Sequence, residues 1–212
     1  MLAGEPKWRR RKEARPGEIV AAALEVFAEK GFAAARLDDI AARAGVSKGA
    51  LYLYFETKHD LFHAVVRDAV TPNIDAIEAA ARAMNQPIGP VIRMMLGRAA
   101  EVLITSPLGA VAKMVIAESR NFPDLARVWH DEVVERALGV ITGLIEAAQA
   151  RGEIRPGDAR FHAFSLISPL LLGLLWREVL VPAGGRPVDI RALAAQHVET
   201  VLGGMLSQGD RR

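Results

Sequence analysis

The chain has 212 residues, 51% of them hydrophobic and 6% aromatic, enough for one or two compact domains with a substantial core. Alanine and leucine are prominent and β-branched runs are few, which favours helices over sheet. Cysteine is absent, so disulfides, thiolate metal sites, iron–sulfur clusters and cysteine nucleophiles are excluded, and a net charge of +2 decides nothing by itself. The distribution of charge is more useful. Lys7, Arg9, Arg10, Arg11, Lys12 and Arg15 crowd around Trp8 near the start of the chain. A basic N-terminal arm over residues 1–15 adds salt-dependent, sequence-independent affinity for a polyanion. No apolar run follows these charges, so a secretory signal is not expected and the default location is cytoplasmic.

In chain order, the first predicted helix runs from about Pro16 to Lys30. Proline suits a first helical position, and Glu18 complements the positive end of the dipole. Ile19, Val20, Ala23, Leu24 and Phe27 form its apolar stripe, and Gly31 closes it. A second helix places Leu37, Ile40, Ala41 and Ala44 on one face. Gly45 stops it, since a residue without Cβ turns left-handed cheaply. Ser47 is the candidate N-cap of a third, two-turn helix. Only Leu51 and Phe55 give this third helix a buried edge. Lys48, Gly49, Ala50, Tyr52, Leu53 and Tyr54 are left to face outward. So short a helix, with two exposed tyrosines, is poorly explained as core and well explained as an insertion into a DNA major groove.

Thr57 caps a fourth predicted helix that reaches Val70, before Pro72 kinks or ends it. Further helices are expected near Asn73–Met84, Ile88–Thr105, Pro107–Ser119, Pro123–Arg151, Asp158–Val181 and Val188–Leu206, separated by Pro- and Gly-bearing breaks. Phe161 to Trp176 is the most apolar run, 16 residues without a formal charge. That falls short of the roughly 20 residues of a membrane span. A helix apolar almost all round is buried, and a second subunit can cover the side its own core leaves bare. With the last helix it predicts an intermolecular four-helix bundle, with Leu166, Gly173, Leu193, His197 and Val201 as interface candidates.

These residues resemble the TetR family of bacterial transcription regulators. The resemblance rests on Gly31-Phe32, on Leu37-Asp38-Asp39-Ile40-Ala41, and on Ala44-Gly45-Val46-Ser47-Lys48-Gly49. Leu51-Tyr52-Leu53-Tyr54-Phe55 and Lys58-His59-Asp60-Leu61 extend it, so that it is specific over residues 16–66. It implies that Ser47, Tyr52 and Tyr54 meet phosphates or base edges, that Lys48, Gly49, Ala50 and Leu53 lie against base edges, and that Lys58 clamps a phosphate. Two positions depart from the family pattern. Ala35-Arg36 stands where Thr followed by Ser or Thr is usual, which removes a hydroxyl cap and leaves Arg36 to reach a phosphate instead. Ala50 replaces a common Thr, leaving a methyl that can touch thymine. The resemblance further implies a dimer that reads a palindromic DNA operator and a small-molecule effector bound in the C-terminal part, the two affinities being reciprocally coupled.

Other motifs carry competing readings. Gly45-Val46-Ser47-Lys48-Gly49 matches the G-x-S-x-G nucleophile elbow, but that motif needs a strand before it, and DDIAARA is helical and charged. His59 and His63 stand at metal-sharing spacing without a third ligand nearby, so no metal is expected. Gly139 and Gly143 form a small-residue step that allows close helix packing. Met94, Arg98, Met114, Glu118, Phe122, Trp129 and His130 mix apolar and polar groups near a helix break and are the candidate effector pocket.

The expected fold is all-α with about nine to ten helices: an N-terminal three-helix helix-turn-helix domain over 16–60 and a larger ligand-binding and dimerisation domain over 61–212. The expected function is a ligand-responsive repressor, not an enzyme, needing no cofactor. A hydrolase using Ser47 and a dimeric interaction protein that binds no DNA are the alternatives.

Overall fold

Among residues 7–83 and 86–207, which the computed structural model describes, every regular element is helical. Helix α1 (Lys7–Ala34) starts well ahead of Pro16, which lies inside it. Lys, Arg, Glu and Ala propagate a helix readily, and one proline costs it a hydrogen bond without stopping it. Gly31, at φ 76° and ψ 169°, ends the regular run where the sequence predicts. Helices α2 (Leu37–Arg43) and α3 (Lys48–Tyr52) follow, joined through Gly45 at φ 66°. Helix α4 (Lys58–Val65) opens on a reciprocal cap, in which Thr57 and Asp60 each accept the other's backbone N–H.

Pro72 does not break the chain here. A π-helical turn (Val66–Val70) widens the ladder just before it and carries α4 into α5 (Thr71–Ala83). That wider turn accommodates a residue with no N–H to give the preceding turn. Helices α6 (Ile88–Thr105) and α7 (Leu108–Glu118) come next. Helix α8 (Pro123–Trp129) passes through a second π-helical turn (His130–Val134) into α9 (Glu135–Ala150). Helix α10 (Ala159–Leu175), with its own π-helical turn (Trp176–Leu180), and α11 (Ile190–Met205) complete the fold. Counting segments joined by π turns as one, the described residues form nine continuous helices, in line with the expected number.

The chain divides into two compact units. One comprises the residues up to Pro72 with Ala110–Trp129, the other Asn73–Gly109 with the residues from His130 onward. In the first, Ile19, Phe27, Phe32, Ile40, Leu51, Leu61 and Phe62 are fully buried. Their aromatic rings pack together, Phe27 tilted against Phe32 at 5.4 Å and Phe62 edge-on to Phe32 at 6.0 Å.

In the second unit α10 packs on α9 and α11, and α11 on α6. Met95, Leu96, Ile145, Ala163, Leu166, Leu170, Ala194, Val198 and Leu202 make its core. Pro169 inside α10 has no N–H for the Ser165 carbonyl one turn earlier. His197 of α11 supplies the missing donor, its Nε2 lying 2.9 Å from that oxygen. The imidazole therefore carries its proton on Nε2.

Ala159–Leu180 is long and apolar enough to cross a bilayer by length and composition, longer than the charge-free run alone suggested. One of its faces is committed to the core of the second unit, through Ala163, Leu166 and Leu170.

Candidate functional site

Helix α3 exists because two separate devices hold it. Ser47, in extended conformation at φ −70° and ψ 153°, accepts the Ala50 N–H on its hydroxyl at 3.2 Å. Leu51 is fully buried and Phe55 nearly so, which anchors the element from below. Burying a leucine of this kind contributes about 1.5–3 kcal/mol. Everything else on α3 and just beyond it faces out. Tyr52 is 43% exposed, Tyr54 36% and Leu53 81%, the last an unusual exposure for a leucine. Gly49 is open and Ala50 half-buried. Ser47, Lys48, Gly49, Ala50, Tyr52, Leu53 and Tyr54 thus share one short protrusion, with Arg36 exposed at the start of α2. Arg36 caps α2 with its backbone alone and makes no side-chain cap bond.

The two lysines expected at DNA behave differently. Lys48 meets both oxygens of Asp38, at 2.8 and 3.0 Å. That hydrogen bond holds the ammonium above the ordinary lysine pKa. Lys58 turns inward. Its ammonium donates to the carbonyls of Phe32, Ala33 (3.2 Å) and Ala35 (3.0 Å) and lies 4.5 Å from the centroid of the Phe32 ring. Burial pushes its pKa down, against the opposing pull of Glu118. The structure therefore gives Lys58 to the carbonyls at the end of α1 rather than to a phosphate, because these orphan acceptors lie within its reach.

Glu118 completes the same corner. Its two oxygens accept the backbone N–H groups of Phe32 (2.9 Å) and Ala33 (2.8 Å), just past the Gly31 break. Phe122 stacks edge-on against Phe32 at 5.1 Å, and His59 against Phe32 at 4.9 Å. Two residues read as pocket-lining thus clasp the end of α1. Spacing along the chain gave no sign of this, since Glu118 and Phe32 are 86 positions apart.

The other pocket candidates do not gather with them. Met114 is buried in the first unit and Trp129 is half-buried there. Met94 packs against the core of the second unit, whereas Arg98 and His130 are exposed. His130 binds Asp131 at 2.7 Å, which holds its pKa above the usual imidazole value. Two clefts lie elsewhere. One, of about 270 Å³, runs between α6 and α11 over Gly97, Ala100, Ala194 and Val198. Another, of about 280 Å³, lies over Gly139 and Gly143. A Cβ added at either of these glycines would meet nothing within 4 Å, so the step is an open groove and not the close helix packing expected of it.

The interface candidates also divide. Leu166 and Gly173 lie inside the chain's own core, where a Cβ on Gly173 would come 2.7 Å from Ile190 Cδ1. Leu193 and Val201 are half-buried, and His197 answers Ser165. What α10 leaves bare instead is Phe161 (70% exposed), Phe164, Leu171 and Leu172. A helix apolar all round gives no periodic sign of which side meets which neighbour. Gly45-Val46-Ser47-Lys48-Gly49 follows a helix, not a strand, so the elbow geometry is not formed. Among the described residues no three His, Asp or Glu side chains converge as metal ligands.

Residues 19–65 match the family of bacterial regulatory proteins named tetR, and residues 90–204 match the AefR-like transcriptional repressor C-terminal domain. The second match alone spans more than half the chain. The chain belongs to the TetR family. This TetR-family chain is 31% identical to the transcriptional regulator CymR of Pseudomonas putida, over 76% of its own length and 80% of that protein's. A TetR-family regulator from Mesorhizobium loti superposes with a TM-score of 0.76 at 26% identity, over 93% of this chain and 99% of that one. The regulator FadR of Bacillus subtilis, solved in complex with stearoyl-CoA, shares the fold, with a TM-score of 0.75, 22% identity and coverage of 89% and 98%. The TetR-family chain is a transcriptional regulator whose C-terminal part matches a repressor domain, and its relatives are transcriptional regulators.

Proposed function

We propose that the protein acts in the cytoplasm as a homodimer that seats its two α3 helices in major grooves of a palindromic operator and leaves the DNA when a small molecule binds. The observation that carries this is the construction of α3. Leu51 and Phe55 anchor it from one side, and Lys48, Gly49, Ala50, Tyr52, Leu53 and Tyr54 project from the other. Two such helices about one turn of DNA apart, ~34 Å or a multiple of it, would read an inverted repeat. Tyr52 and Tyr54 supply hydroxyls for phosphates, and Leu53 and Ala50 supply apolar contacts for thymine methyls. The basic segment 1–15 adds attraction to any sequence, 16–60 reads the operator, and 61–212 binds effector and partner. Lys58 serves the site indirectly, by fixing the end of α1.

The bare side of α10, with Phe161, Phe164, Leu171 and Leu172, suits the second subunit. For the effector, no polar or charged residue among the described ones is buried as a whole, the buried side-chain atoms Thr142 Oγ1 and His162 Nε2 being exceptions at the level of single atoms, and Met94 lies beside the core of the second unit. An interior of that kind suits a mainly apolar effector, in keeping with the acyl ligand of the Bacillus subtilis relative. Selection from a random duplex library, with sedimentation of the recovered complex, tests the reading. An inverted repeat bound by two chains is the expected result. A folded protein that enriches no sequence in the absence of added ligand would contradict it.

A further inference from the structure

Residues 16–60 carry five lysines and arginines (Lys30, Arg36, Arg43, Lys48, Lys58) against seven aspartates and glutamates. The helix-turn-helix by itself is therefore no cationic surface. Its cations are also largely engaged. Lys30 pairs with Asp39 at 2.9 Å, Arg43 with Glu25 and Glu29 at 3.0 and 2.7 Å, and Lys58 with carbonyls. Lys48 is the cation that stands on α3 itself, and Asp38 in the first turn of α2 holds it through both carboxylate oxygens. Both side chains are more than half exposed, at 58% and 60%. Exposed ion pairs contribute little to folding, so beyond the dipole complement that Asp38 gives the start of α2, stability does not account for its pairing with the recognition helix.

We propose that Asp38 is a specificity-determining residue, which keeps the Lys48 ammonium from the phosphates and offers it to a base edge in the major groove. The inference rests on the DNA-binding reading above. An unpaired lysine at this position would take any phosphate, adding affinity without discrimination. Held by Asp38, the ammonium is neutralised on arbitrary DNA, and the carboxylate itself repels the backbone. An ammonium has three N–H donors, and Asp38 occupies two directions. The third can meet guanine O6 or N7 without breaking the pair, so the contact is gained only where that base lies under α3.

The test uses the full chain, the inverted repeat recovered by selection and a scrambled duplex of equal length and composition, read by fluorescence anisotropy over a salt series. Asp38→Asn is expected to tighten scrambled-duplex binding about tenfold and to change operator binding less than about threefold. The salt slope on scrambled DNA should steepen by about one. Asp38→Glu, which keeps the carboxylate, should keep the ratio of the two affinities. Lys48→Gln should lower that ratio about tenfold, a result readable even if Asp38→Asn folds poorly. If Asp38→Asn moves both affinities by the same factor, or Lys48→Gln leaves the ratio unchanged, Asp38 contributes only bulk charge and the proposal is overturned. If the wild-type chain recovers no repeat at all, the DNA-binding reading falls and this inference with it, an outcome distinct from an unchanged ratio.

Discussion

The outward face of α3 and the expected effector pocket were read from the same chain, yet one assembles and the other scatters. The α3 residues are almost consecutive, Ser47 to Tyr54, so a cap, a buried Leu51 and a helix of only five residues suffice to place them together. The pocket candidates come from three helices, a π-helical turn and the link between α7 and α8, and their positions depend on packing that no local pattern encodes. Local chemistry is legible in a sequence. Convergence of distant helices is not.

That contrast can be broken at its anchor. Leu51→Ala should destabilise the first unit by about 2–5 kcal/mol, since a fully buried side chain leaves a cavity. Chemical denaturation would show the loss, and operator binding should vanish with it. An unchanged transition would mean that α3 is held by something other than Leu51.

His197→Ala tests the second unit. Removing the donor leaves the Ser165 carbonyl unpaired beside Pro169, at a cost of about 1–3 kcal/mol. Thermal unfolding reads this, and His197→Gln, which retains an N–H, should recover part of it. A dimerisation defect with no change in the stability of the chain would return His197 to the interface.

Lys58→Ala separates two roles for one residue. As a cap for the Phe32, Ala33 and Ala35 carbonyls, its loss should cost about 1 kcal/mol of stability and leave the salt slope of operator binding unchanged. As a phosphate clamp, its loss would spare stability and flatten the slope by about one.

The smallest effect concerns His130. Its hydrogen bond to Asp131 favours the imidazolium, so the pair holds below a raised pKa and is lost as pH rises through it. An NMR titration should find that pKa above the ordinary imidazole value, and Asp131→Asn should lower it. A normal value in the wild-type chain would mean that the pair does not persist in solution.

The helical breaks divide into those that local chemistry sets and those that tertiary packing sets. Gly31, Gly45, Ser47 and Thr57 sit at the element ends that their backbone preferences predict, and Leu51 and Phe55 are buried as their spacing requires. Pro16 does not start α1 and Pro72 does not end its helix, because a proline weakens a helix locally while a π turn or good neighbours carry it on. From the sequence Glu118 is a pocket or surface group, because an exposed-type residue at a helix end looks the same whether it meets water or two distant amides. The sequence assigns Leu166 and Gly173 to a partner subunit because α10 is apolar on every side. Their neighbours on α9 and α11 decide otherwise.

The clasp of Glu118 and Phe122 on the end of α1 limits how portable this reader is. A fragment stopped at Pro72 would leave the Phe32 and Ala33 amides without their acceptor and the Phe32 ring without one of its neighbours. Chimeras that graft this N-terminal segment onto another regulator's sensor therefore inherit an unfinished corner, unless the host supplies a carboxylate and an aromatic ring at the equivalent place. Exchange of recognition modules would succeed when residues 110–129 travel with them, as two pieces of sequence that behave as a single part.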